Sequence, residues 1–358
     1  MMRIGFDAKR FFHNSTGLGN YSRSMVYALA RHFQQDEFWL LNAKPVSFDP
    51  EFPNLHLYVP NRPTPLWRSL GIARDIQALQ IPVFHGLSNE IPVGLSRKNI
   101  RSVVTIHDVI FRRFPDYYPI LDRNIYHFKT RYAATRADCI IATSQATAAD
   151  LQEFYGVSAS RIHVVYQPVA ETFYTRPVLP QVHPRPFFLY VSSFTGRKNQ
   201  GALIEAFGRI RKLTDMDLIL AGKSGETLET CRNMIRSAGL QDRIHLFTDC
   251  ETEILQNLVH QCEAFVYPSL YEGFGIPLAE AAAAGKPMAV SNIGVFRELA
   301  GPAALYFHPN KMEEIADAML KLQLTDHTLP MAKARETLLE KLEPGRLAAQ
   351  LMQLYRQL

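Results

Sequence analysis

"YPSLYEGFGIPLAEAAAAGKP" runs from Tyr267 to Pro287 and holds two acids, Glu272 and Glu280, with seven residues between them. The apolar run Ala264–Tyr267 reads as a buried strand, and Pro268–Phe274 as a glycine-rich loop. Pro277 suits the first turn of a helix, where a missing N–H costs nothing. That helix continues over Leu278–Ala284, and Gly285 ends it. The amides around Phe274–Ile276 then lack intrahelical partners and carry the positive end of the helix dipole. Phosphate fits such a place, and Gly273 and Gly275 let the backbone come close to it. Glu280 lies one turn further in, roughly 5–6 Å along the axis. A carboxylate there accepts hydrogen bonds from the vicinal hydroxyls of a ribose. Glu272, on the loop side, accepts from hydroxyls of whatever the diphosphate carries. The plainer reading of both acids is a preference for the N-terminal half of a helix.

The same alternation extends in both directions. Strands are expected at Arg3–Phe6, Phe38–Leu41, Leu55–Val59, Val83–His85, Val103–His107 and Cys139–Ala142. Helices are expected near Asn20–Phe33, Ile72–Gln80, Ile120–Arg136 and Ala146–Tyr155. "RPVLPQVHPRP" follows, with Pro177, Pro180, Pro184 and Pro186, and reads as a stiff linker. Alternation restarts at Phe187–Ser192 and continues through Asp217–Leu220, Ile244–Phe247, Ala264–Tyr267 and Met288–Val290. Strand–helix alternation predicts an α/β protein with parallel, doubly wound sheets. Two Rossmann-like halves around a hinge is the economical reading. The expected bounds are 1–174 and 175–342, with a helix over 343–358. Pro344-Gly345 opens that tail, where Leu347, Leu351, Leu354 and Leu358 form one helical stripe. A stripe of this kind needs burial, and packing back on the first domain supplies it.

Composition bounds the class. At 358 residues and 47% hydrophobic content the chain supports a real core. No apolar stretch reaches the roughly 18 residues of a membrane span. The opening MMRIGFDAKRFF lacks a signal peptide's apolar segment, so a cytoplasmic location is expected. Cys139, Cys231, Cys250 and Cys262 fit no metal spacing and read as reduced, mostly buried thiols. The net charge of +5 lies in the first half: residues 1–175 hold 19 Lys and Arg against 14 Asp and Glu, while residues 176–358 hold 20 of each. That hints at an anionic partner for the first half. It is too mild for nucleic acid, and no nucleic-acid motif appears.

"EGFGIPLAE" (272–280) resembles the E-x7-E motif of the retaining glycosyltransferases of family 4, which have the GT-B fold. "STGLGNYSRSM" (15–25), "TIHDVIFRRFPDYYP" (105–119), "ADCIIATSQAT" (137–147), "YVSSFTGRKNQGALIEAF" (190–207) and "AVSNIGVFRELAG" (289–301) are similar to further segments of that family, in its order. The resemblance implies two Rossmann-like domains facing across a cleft. The N-terminal domain would bind acceptor and the C-terminal domain the nucleotide-sugar. It also implies retention of anomeric configuration, no metal and no further cofactor. Glu272 would contact the donor sugar and Glu280 the ribose.

Further residues join this set. Arg197 and Lys198 precede a helix over Gln200–Arg211 and oppose its dipole, which is tolerable beside an anion. The resemblance makes them the neutralisers of the departing diphosphate; the plainer reading is a solvated basic loop. Many relatives carry an arginine where Ser192 stands, so Arg197 takes over that role or neutralisation is weaker. Phe274, Gly275 and Ile276 would orient sugar and phosphate. Gly17 and Gly19 open a helix after the first strand, and by resemblance the Gly19 amide approaches the donor. As a bare motif they are a loop and a helix start. His107 and Asp108 end a strand at the carboxyl edge, where ligands bind. By resemblance His107 contacts the donor sugar through carbonyl or ring; a local His–Asp hydrogen bond is the plainer reading. His85-Gly86 also ends a strand, either as structure or as acceptor contact. Residues Phe111–Arg136 mix aromatics with Arg112, Arg113, Arg123, Lys129, Arg131 and Arg136. Such a surface rests on an anionic membrane, lines the acceptor site or forms a solvated basic face.

The expected reaction moves a hexosyl group from a nucleoside diphosphate sugar to a hydroxyl of a glycan or lipid-linked glycan. The Arg-Lys-Asn loop is similar to that of mannosyl- and related transferases, which points to GDP-mannose. His107, Glu272, Arg197 and Lys198 would carry the chemistry. Gly17, Gly19, Asp108, Ser192, Phe274, Gly275, Ile276 and Glu280 would hold the donor. Two other classes stand beside it: a glycoside hydrolase with paired carboxylates, and a non-catalytic nucleotide-sugar-binding protein.

Overall fold

The computed structural model describes residues 1–14, 16–175, 180–324 and 328–358, the side chains of 328–330 excepted. Pro177 of the expected linker lies outside the described residues. The chain divides into two compact units: Met1–Pro168 with Lys341–Leu358, and Val169–Glu340.

The first unit is built on seven parallel strands. These are β1 (Arg3–Asp7), β2 (Glu37–Leu41), β3 (Leu55–Tyr58), β4 (Val83–Gly86), β5 (Arg101–Ile106), β6 (Cys139–Ala142) and β7 (Ile162–Val164), in the spatial order β3-β2-β1-β4-β5-β6-β7. The central strands β4 and β6 are buried throughout, as a parallel sheet with covered faces requires. Helix Gly17–His32 packs Tyr21, Met25, Val26 and Leu29 into a core shared with Leu347, Leu351, Met352 and Tyr355 of the C-terminal helix Pro344–Gln357. Glu343 caps that last helix, accepting from the Gly345 amide at 2.8 Å and from the Arg346 amide. Within the stripe, Leu347 and Leu351 are fully buried, while Leu354 and Leu358 pack at the edge of the core.

The second unit holds six parallel strands: β8 (Phe187–Val191), β9 (Asp217–Gly222), β10 (Ile244–Thr248), β11 (Ala264–Tyr267), β12 (Met288–Ser291) and β13 (Leu305–Phe307). Their order is β10-β9-β8-β11-β12-β13, with the switch point between β8 and β11. In such sheets the crevice at the carboxyl ends of the switch-point strands takes ligands.

Three features differ from the sequence expectation. The edge strands β7 and β13 have three residues each and are mostly half-buried, so neither shows a long apolar run. The first unit closes at Pro168 rather than at 174. Residues just beyond it pack on the second unit: His260 Nε2 lies 2.9 Å from the Thr172 carbonyl, and its ring stacks on Phe173 at 6.2 Å. Helix Gly17–His32 begins at Gly17, so both glycines lie in its first turn and not in a preceding loop.

Candidate active site

Strand β11 delivers the chain to Pro268, and helix Ile276–Ala283 begins eight residues later. Gly275 caps that helix with φ +106°, and a Cβ there would lie 2.7 Å from Phe296 Cε1. Backbone handedness and the Phe296 ring therefore both demand glycine. Phe274 is buried and Ile276 half-buried. Among the described residues, the Gly275 and Ile276 amides make no hydrogen bond. Two N–H groups thus stand open at the positive end of the helix.

Glu280 sits one turn in. Its carboxylate has no hydrogen bond or ion pair among the described residues, and burial pushes its pKa up to about 7. Glu272 is the opposite case. Its Oε1 lies 2.5 Å from Lys198 Nζ and 2.8 Å from Ser269 Oγ, and its Oε2 lies 3.5 Å from Arg197 Nη1. Burial works to raise its pKa, but Lys198 and Arg197 outweigh burial and hold it below the usual carboxylate range. Lys198 also donates to Tyr267 OH at 3.1 Å. Asn199, at φ +60°, ties the cationic turn down by donating to the Pro268 and Pro309 carbonyls at 3.1 and 2.7 Å. The structure thus brings Arg197, Lys198, Glu272 and the open amides to one end of one sheet. Its correction to the sequence reading is that Glu272 and the two cations are partners of each other.

Ser192 follows β8 directly, and its amide donates to the Ala221 carbonyl at 2.9 Å. Tyr190, two residues earlier in β8, is fully buried with its phenol close to the Ser192 side chain. Sequence reading missed both Tyr190 and Tyr267, since a tyrosine in an apolar strand reads as core.

In the first unit Gly19 and His107 are engaged by protein, while Gly17 is open. The Gly19 amide donates to the Thr16 carbonyl at 2.9 Å and to Asn14 Oδ1 at 3.0 Å. A Cβ at Gly19 would lie 1.8 Å from the Asn14 carbonyl oxygen, which explains the glycine. Gly17 is exposed, with open space around it. His107 is buried, its Nε2 lying 2.8 Å from the Leu87 carbonyl and its Nδ1 3.4 Å from Gln167 Nε2. A carbonyl only accepts, so the proton sits on Nε2. Burial holds the ring's pKa down near about 4, against the Leu87 hydrogen bond. The His107 carbonyl accepts from Thr143 and Thr147 hydroxyls at 2.9 and 3.2 Å. Asp108 Oδ1 accepts from the Ile110 amide at 3.2 Å, while the two His107 ring nitrogens face Leu87 and Gln167. His85 is structural: Nδ1 lies 2.6 Å from Tyr355 OH and Nε2 2.8 Å from Thr105 Oγ1.

One group among the described residues has donor atoms close enough for a metal: His183, Asp217 and His245. It lies at the amino ends of β9 and β10. Arg243 and Arg185 hold the other Asp217 oxygen at 2.8 and 3.4 Å, so the carboxylate is already saturated by cationic donors.

Residues 17–173 match the family model described as Glycosyltransferase Family 4, and residues 174–336 match that of Glycosyl transferases group 1. The chain belongs to glycosyltransferase family 4. It is 27% identical over 364 residues to the O-antigen chain mannosyltransferase B of Escherichia coli, covering 93% of this chain and 94% of that one. It is 31% identical over 280 residues to a serotype-specific mannosyltransferase WbdA of Escherichia coli, covering 72% of this chain and 33% of the relative. Among solved structures, sucrose-phosphate synthase from Thermosynechococcus elongatus superposes with a TM-score of 0.76 at 21% identity, covering 100% and 99% of the two chains. Anabaena HepE in complex with UDP and glucose gives 0.73 at 16% identity, with both chains fully covered at 100%. The fold is GT-B, and the protein is a glycosyltransferase.

Proposed function

We propose that this glycosyltransferase moves a mannosyl group from GDP-mannose to a hydroxyl of a glycan or lipid-linked glycan, retaining the anomeric configuration and using no metal. The observation that carries the donor reading is the junction after β11. Two amides and a carboxylate without partners among the described residues lie one helical turn apart there. In this reading the diphosphate takes the Gly275 and Ile276 amides, and the ribose hydroxyls donate to Glu280. Phe274 and Gly275 border the sugar. Lys198 and Arg197 are already committed to Glu272. A diphosphate draws them toward its oxygens and releases Glu272 to accept from sugar hydroxyls. The C1–O bond to the diphosphate then breaks as the acceptor oxygen joins C1 on the same face, and the acceptor proton passes to the leaving phosphate oxygen. Cations and amides aimed at the growing phosphate charge contribute about 10²–10³ in rate each. The His107 ring, neutral and held by the Leu87 carbonyl within its own unit, is given no proton-carrying role in this reading. Mannose is preferred because both Escherichia coli relatives are named for mannosyl transfer.

A membrane contact belongs to the same reading. Helix Ile120–Arg136 exposes Leu121 (77%), Ile125 (52%) and Phe128 (72%), which share one face at i, i+4 and i+7. Arg131 and Arg136 are exposed on the same helix. An apolar stripe flanked by cations fits an anionic bilayer surface, at the cytoplasmic face where lipid-linked acceptors would be met. No described helix is long and apolar enough to cross a membrane.

A thermal-shift screen of UDP-, GDP- and ADP-sugars tests the donor assignment, because a ligand selective for the folded state raises Tm. GDP-mannose should give the largest rise. A larger rise with a UDP-sugar sinks the guanosine assignment, and no rise with any nucleotide-sugar sinks the donor site. Release of nitrophenol from a nitrophenyl sugar without nucleotide would favour the hydrolase.

A further inference from the structure

The first unit carries a cationic cluster that the donor site does not use. Strand β1 ends at Asp7, and Lys9 and Arg10 follow at the carboxyl edge of the sheet. Behind them Arg68 bridges Asp7 Oδ2 (Nε at 2.6 Å) and Glu90, and Lys129 Nζ lies 2.9 Å from the other Glu90 oxygen. Four cations therefore face two carboxylates, and Arg68 and Lys129 consume both. Lys9 Nζ and the Arg10 guanidinium make no hydrogen bond or ion pair among the described residues, and Arg10 Nε is buried without any partner. A buried guanidinium N–H left unbonded is costly and rare. The charge excess shows in Lys9, whose pKa is lowered first by Arg68, then by burial and by Arg10.

We propose that Lys9 and Arg10, backed by Arg68 and Lys129, bind a phosphoryl oxyanion, and that this phosphate belongs to the acceptor. The inference rests on the reading that unit 2 holds the donor, since that reading gives the donor diphosphate its own amides and cations. A guanidinium and an ammonium at a sheet's carboxyl edge match phosphate oxygens in charge and in donor geometry. Lys129 adjoins Phe128 in the helix whose apolar face is exposed. An acceptor in which phosphate joins glycan to lipid would satisfy the cluster and that face together. The transfer to hydroxyl leaves this phosphate intact; it anchors and does not react. The first half's surplus of positive charge acquires a use.

Two arms test this on the full chain. Inorganic pyrophosphate is titrated calorimetrically into the wild type, K9A/R10A and K198A, with thermal unfolding and a K9Q/R10K variant controlling for fold. K9A/R10A should lose one class of sites that K198A keeps; identical isotherms for wild type and K9A/R10A overturn the site. This arm stands even if the donor is misassigned. In the turnover arm, K9A/R10A should raise the KM of a phosphate-bearing acceptor by roughly tenfold or more, the scale of losing charge-assisted hydrogen bonds. The donor KM should stay unchanged. A rise in donor KM instead, or an equal rise for the dephosphorylated acceptor, overturns the assignment to acceptor phosphate.

Discussion

Lys198 Nζ and Glu272 Oε1 stand 2.5 Å apart, both nearly sealed from solvent, with 73 residues of chain between them. The pair closes the loop after β11 onto the turn after β8. It makes the two halves of the candidate donor site one structural object.

Breaking that pair from one side should hurt more than removing it. K198A leaves Glu272 with Arg197 alone, and a buried ion pair broken this way costs about 3–5 kcal/mol. The double replacement K198M/E272Q should be more stable than K198A in urea unfolding, yet stay inactive. Equal losses for single and double variants would mean that the pair is not coupled.

Glu280 gives a pH signature. Its native pKa stands near about 7, above the ordinary value of 4.5. Between those values the native state holds the proton that the unfolded chain has lost. Its contribution is fully present below about 4.5 and is lost as pH rises through about 7. E280Q should therefore raise Tm relative to the wild type at pH 8 and not at pH 4.5. The same variant should raise the donor KM more than it lowers kcat. A fall in kcat alone contradicts the ribose role.

Tyr355 OH holds His85 Nδ1 at 2.6 Å, and Thr105 links that imidazole to Tyr21 OH at 2.9 Å. Y355F strands a buried acceptor or donor and should cost about 1–3 kcal/mol in unfolding free energy. A shift under about 0.5 kcal/mol, the scale of a neutral surface change, would mean that the chain of hydroxyls carries no stability.

The exposed stripe should matter only to surfaces. L121S/F128S removes two apolar side chains, each worth about 1.5–3 kcal/mol when buried. It should abolish co-sedimentation with phosphatidylglycerol vesicles at physiological salt while leaving Tm unchanged. Equal sedimentation of variant and wild type removes the membrane contact.

The architecture was legible because parallel strands buried on both faces are continuous apolar runs, as in "FFLYV" and "AFVY". Short edge strands such as Leu305–Phe307 carry no such run. The loop–helix junction of Gly275 and Glu280 was legible because its punctuation is local. Pairings at long range were not. Nothing in "TGRKN" says that Lys198 meets Glu272, and nothing in "TIHD" says that Leu87 and Gln167 fasten the His107 ring. Lys9-Arg10 carries a local signal, consecutive cations directly after a strand end, but nothing in it says that Arg68 and Lys129 take up the nearby carboxylates.

A crystal structure with bound GDP-mannose tests the central claim most directly. The account predicts diphosphate oxygens within about 2.7–3.2 Å of the Gly275 and Ile276 amides, with Glu280 on the ribose hydroxyls. A donor bound elsewhere in the chain, with those amides and Glu280 untouched, would contradict it.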